Sequence, residues 1–215
     1  GDIYSLFGDY GKAENIYVAN IKRDTTDLNS LTSLSNIYLM SDRDSLYCET
    51  VECILKNERL EVEQRVSMLL DYARYKDRSD TTYMKGFFED MLRLPFDRLE
   101  IADLYVQYLL YREASPDTIM PVLEIILELE PENRSALLQM LVFAIERNDY
   151  EEVIRCSDNA ILYIPDMLEL YYYKGIASYL LGKKQECAGI YELGLSRRSE
   201  ECTPELVAKV FSVLG

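Results

Sequence analysis

The sequence predicts an all-α chain in which antiparallel helix pairs stack into an α-solenoid. Three observations predict it. Apolar residues recur at helical spacing, as in Leu137, Met140, Leu141, Ala144 and Ile145. Glycine (9) and proline (6) are scarce in 215 residues, so long loops and many tight hairpins are not expected. The chain also repeats itself at an interval of 34 residues. Leu137 aligns with Tyr171, Leu141 with Gly175, Asn148 with Gly182, Val153 with Cys187, Ala160 with Gly194 and Pro131 with Pro165. Ile119 and Ile126 precede Val153 and Ala160 by the same step. One such pair could be chance; a set that stays in phase over three windows is not.

Taken in order, residues 1–27 form a partial repeat, because the turn at Gly8-Asp9-Tyr10 arrives after only a few residues. Residues 28–61 offer Leu31, Leu34, Tyr38, Val51 and Ile54 as apolar faces around an Asp42-Arg43-Asp44 turn. Residues 64–97 offer Leu69, Leu70, Ala73 and Phe87, a turn at Arg78-Ser79-Asp80 and a late Pro95. These two windows start 36 residues apart, which implies longer joining loops or degenerate helices. In residues 100–133, Ser115 suits an N-cap and Pro116 the first helical position. Asp103 and Gln107 fall where apolar or small side chains are expected, so the register over 28–113 is set only to within one or two residues.

Residues 134–167 show the pattern most fully. Asp149 suits an N-cap, and Glu151 and Glu152 put negative charge at the positive end of the new helix dipole. Val153, Ile154, Ala160 and Ile161 carry the second apolar face, and Pro165 follows its end. Residues 168–201 repeat this unit. At 203–214, Thr203-Pro204-Glu205 starts a helix carrying Leu206, Val207, Val210, Phe211 and Leu214. Two readings of it stand: a capping helix, or the start of a further repeat in an array of which this chain is a piece. Every helix is under 20 residues and cannot hide its apolar stripe alone, so each pair must stack on its neighbours.

This pattern resembles the tetratricopeptide repeat family. Its family-like places hold Gly175, Gly182, Cys187, Tyr191 and Gly194 in the sixth window. In the fifth they hold Leu141, Asn148-Asp149-Tyr150, Val153, Ser157, Ala160 and Pro165. At the start, Phe7-Gly8-Asp9-Tyr10-Gly11-Lys12-Ala13 followed by Tyr17 is the nearest match. The resemblance implies a right-handed superhelix whose inner surface is lined by the first helix of each unit. It places Arg65, Met68, Tyr72, Tyr75 and Lys76 on that surface, then Ile101, Leu104, Tyr108, Tyr111 and Arg112. Ser135, Leu138, Val142, Ile145 and Glu146 follow, then Glu169, Tyr172, Ile176, Tyr179 and Leu180.

The implied function is a groove, rimmed by Arg65, Lys76 and Arg112, that grips a peptide or protein segment. Tyrosine (18) outnumbers phenylalanine (6), tryptophan is absent, and much of the excess falls in first helices. A tyrosine ring offers an apolar face with a hydroxyl that tolerates water, useful at a recognition surface. The same rings could instead fill gaps between repeats. Some relatives clamp a terminal carboxylate with Lys and Asn; here only Asn36 is suitable, while Thr32, Met68 and Leu69 are not, so chaperone tails are not the expected ligand. The other functional reading is a structural spacer or self-associating scaffold, with a homo-oligomer open.

Composition removes several classes. A formal net charge of −15 argues against nucleic acid, whose phosphates need clustered Lys and Arg. With no histidine, the usual general base and the commonest metal ligand are missing. No phosphate loop or Ser-x-x-Lys occurs, and Glu128 and Glu130 face different directions, so neither an enzyme nor a cofactor is expected. Ile119 to Leu129 is the longest apolar stretch, and Pro121, Glu124 and Glu128 interrupt it, so no membrane span is expected. Five cysteines without C-x-x-C spacing read as buried thiols, which leans towards the cytoplasm without settling the compartment.

Overall fold

The computed structural model describes residues 1, 3–4, 8–76, 83–199 and 203–214. Phe7, Arg78-Ser79-Asp80, Cys202 and Gly215 lie outside the described residues, as do the side chains of Phe211 and Leu214. Regular structure among the described residues is entirely helical. The chain divides into two units, Gly1–Tyr105 and Val106–Gly215.

The first unit carries α1 (Tyr10–Arg23), α2 (Leu28–Met40), α3 (Asp44–Leu55), α4 (Val62–Lys76), α5 (Tyr83–Met91) and the first part of α6 (Arg98–Tyr111). Each of α1 to α5 packs on the next in sequence. Caps start two of them: the Asp9 carboxylate accepts from the Lys12 backbone N–H at 3.3 Å, and Asp27 from that of Ser30 at 3.2 Å. Ala13, Tyr17, Leu34, Ile37 and Tyr38 close a core between α1 and α2, with Leu46 and Tyr47 of α3 against it. Beneath it, Leu31, Ile54 and Leu60 pack with Leu28 and Met68. An ion pair ties α1 to the turn after α2. Arg43 reaches both Glu14 oxygens (2.7 and 3.0 Å) while stacking 4.6 Å over the Tyr38 ring.

The second unit carries the rest of α6, then α7 (Pro116–Leu129), α8 (Arg134–Glu146), α9 (Tyr150–Tyr163), α10 (Leu168–Leu180), α11 (Lys184–Arg197) and α12 (Pro204–Leu214). From α7 onward each packs on the next, and α12 also touches α10. The α10–α11 pair shows why small residues sit where they do. A Cβ on Gly194 would stand 2.6 Å from the Tyr171 Cβ, and one on Gly175 would enter the Tyr191 ring. The contacts run crosswise, early α10 with late α11, so the two helices are antiparallel.

The turns between paired helices share one geometry. Gly8, Asp42, Glu113, Asn148 and Gly182 all have φ between 52° and 82°. After each, a backbone N–H returns to a carbonyl five residues back: Asp9 to Tyr4, Arg43 to Tyr38, Ala114 to Leu109, Asp149 to Ala144, and Lys183 to Ser178, at 2.9–3.1 Å. This is the Schellman ending, in which a left-handed residue lets the last carbonyls of a helix find donors.

Candidate functional site

The residues expected on a first-helix surface divide into two groups, one in each unit. In the first unit most serve the interior. Arg65 is 1% exposed, which corrects its expected place on a groove rim. Arg65, Leu69, Tyr72 and Ala73 form the one buried stripe of α4. The Arg65 guanidinium donates to Asp97 Oδ2 at 2.6 Å, to the carbonyls of Asn57 and Leu60 at 2.9 Å, and to that of Leu55. Phe96 lies 4.4 Å beneath it. Nearly all of its donors are spent on closing the end of α3 and the loops around it.

Tyr72, also 1% exposed, is likewise interior and not a surface ring. Its hydroxyl donates to Glu52 Oε1 at 2.5 Å, and Tyr83 donates to the same oxygen at 2.6 Å. Burial, then the Glu52 charge, pushes both phenols up, Tyr83 to about 12. Tyr75 is half-buried, edge-on to Tyr47 at 5.0 Å, and donates to Asp44 at 2.7 Å; that bond is the main reason its phenol rises to about 12. Lys76 lies 4.8 Å over the Tyr83 ring. Met68 is half-buried against the Leu31–Ile54 core, and Leu104 is buried. The sequence carried a signal for this outcome, since Arg65 shares its stripe with Leu69 and Ala73.

The second unit differs. On α10, Leu168, Tyr171, Gly175 and Ser178 face the core, whereas Tyr172, Ile176, Tyr179 and Leu180 make a second stripe. Tyr172 and Ile176 are half-buried; Tyr179 is 49% and Leu180 52% exposed. Lys184 stands 4.8 Å over the Tyr179 ring. Tyr172 meets Tyr173 edge-on at 5.5 Å. On α8, Val142 is exposed while Leu138 and Ile145 are half-buried. Tyr108 is half-buried, and Tyr111 and Arg112, at the end of α6, are exposed.

Nothing among these groups is arranged for bond-making. Burial pushes the Cys156 thiol up to about 12, away from a nucleophilic thiolate. Among the described residues no three His, Cys, Asp or Glu side chains cluster to hold a metal, and no helix is long and apolar enough to cross a membrane.

Neither family models nor curated proteins match this chain. Several solved structures do. YrrB, described as a TPR protein with an unusual peptide-binding site, matches at 12% identity over 91% of this chain and 97% of its own, with a TM-score of 0.47. PilW, a type IV pilus biogenesis factor, matches at 13% identity over 97% and 93%, with a TM-score of 0.45. The TPR2AB domain of yeast Sti1, solved with pHSP90, matches at 11% over 100% and 94%, with a TM-score of 0.43. These are likenesses only. The TPR-like character of the fold rests on this chain's own helix pairs, whose α8 and α10 start 34 residues apart.

Proposed function

We propose that the chain is a non-catalytic protein–protein interaction module that binds a peptide or protein segment along the tyrosine-bearing first-helix face of its second unit. The observation that carries this is the exposed stripe of α10, where Ile176, Tyr179 and Leu180 stand at i, i+3 and i+4 with two of the three about half exposed. A helix whose core stripe is already filled has no packing reason for a second apolar one. Burying such side chains against a partner stabilises by about 1.5–3 kcal/mol each. Tyr179 adds a hydroxyl and a cation-flanked ring, a combination common where binding energy concentrates. The repeat boundaries 134–167 and 168–201 belong to the same proposal, because they make α8 and α10 first helices.

The test is to select peptides from a random display library on the 215-residue chain and measure their affinity by fluorescence anisotropy. Tyr179→Ala should weaken binding about tenfold, and Ile176→Asp should abolish it, with helicity unchanged. Unchanged affinity in both variants would remove the proposal. A tight, concentration-independent oligomer with this face buried would favour the scaffold reading instead.

A further inference from the structure

A cleft of about 290 Å³ lies within the second unit, framed by α7, α8 and α9. Leu127 of α7 and Leu137 and Met140 of α8 supply its apolar lining. Glu124 and Glu128 stand one turn apart on α7, and Arg155 and Asn159 one turn apart on α9. The volume falls at the low end of the roughly 300–1,000 Å³ of small-molecule sites, which suits one long side chain better than a whole cofactor.

The charges lining the cleft are unbalanced. Arg155 is engaged by Glu152, with Nε donating to Oε2 at 2.8 Å and Nη2 to Oε1. Glu124 and Glu128 are both exposed, and neither makes a hydrogen bond or ion pair among the described residues. Like charges one turn apart repel, so a cation placed between them relieves the pair. An anion would meet two carboxylates and a guanidinium already occupied. A metal would find too few ligands among the described residues. What fits both the apolar lining and the carboxylates is an aliphatic stem ending in a cation. A guanidinium suits them better than an ammonium, because its planar fork of five donors can serve two carboxylates and the Asn159 amide oxygen together.

We propose that this cleft docks an arginine side chain from a basic segment of a partner protein, with Glu124 and Glu128 pairing the guanidinium and Leu127, Leu137 and Met140 packing on its stem. The site uses residues of α7, α8 and α9 and does not depend on the α10 stripe. The probe is the pentapeptide acetyl-Ala-Leu-Arg-Leu-Ala-amide, titrated into the isotopically labelled 215-residue chain and followed by amide chemical shifts. Saturable shifts at Leu127, Leu137, Met140 and Asn159 are expected. Replacing the probe's arginine by uncharged citrulline should weaken binding at least tenfold, and replacing it by lysine several-fold. Glu124→Gln with Glu128→Gln should weaken the arginine peptide about tenfold without lowering the melting temperature. The proposal is overturned by an absence of saturable shifts, by equal binding of the citrulline peptide, by lysine binding as well as arginine, or by shifts confined to α10. Because the peptide comparisons use the unaltered chain, they decide the matter even if the double variant folds poorly.

Discussion

Arg65 shows how much a single side chain can hold together. Its guanidinium joins three carbonyls near the end of α3 to Asp97, just ahead of α6. Arg65→Met keeps the volume but strands those acceptors, and about 3–5 kcal/mol should be lost, read as a shift in urea midpoint. Arg65→Lys should recover only part, since one ammonium cannot reach all four acceptors. A lone arginine at a helical position looks like a rim cation in sequence, because its partners sit up to 32 residues away and no local pattern announces them. Glu113 is a smaller case with the opposite sign. It holds φ at 52°, where a Cβ is crowded and Gly is at ease. Glu113→Gly should therefore raise stability by about 0.5–1 kcal/mol in the same assay, unlike glycine introduced within a helix.

Helix pairs are decided by how closely they approach. In α10 and α11 two glycines each receive a tyrosine from the facing helix, and the approach is set by the absence of a Cβ. Gly194→Ala gains about 1 kcal/mol of helix propensity but drives a methyl into the Tyr171 Cβ, which is anchored to its backbone. A net loss of about 1–2 kcal/mol is expected by denaturant unfolding. Gly175→Ala should cost less, because it meets the outer atoms of the Tyr191 ring, which can swing. The 34-residue spacing made these glycines visible as partners of Leu141 and Ala160. It did not say that each would face a tyrosine, since that depends on the crossing of two helices and not on either alone.

Across the whole molecule the charge balance sets the behaviour with pH. Tyr75 and Tyr83 hold their protons up to about 12, against an ordinary value of 10.0, because each donates to a carboxylate. Their contribution is complete below pH 10. Between 10 and about 12 the unfolded chain has lost phenolic protons that the folded chain keeps, so stability falls as pH rises. Melting temperature measured across that window should drop, and Tyr75→Phe with Tyr83→Phe should flatten the drop in the first unit. The all-α character, the pairing of helices and the places of their turns were determined by the sequence alone, through an apolar period and a repeat that no other fold class satisfies. Which face of each helix meets protein and which meets water was a tertiary decision. In α4 and α10 both faces carry aromatic or apolar residues, and a stripe becomes core only when a neighbouring helix covers it. On α4 neighbours cover Arg65 and Tyr72; on α10 they cover Tyr171 and leave Tyr179 exposed.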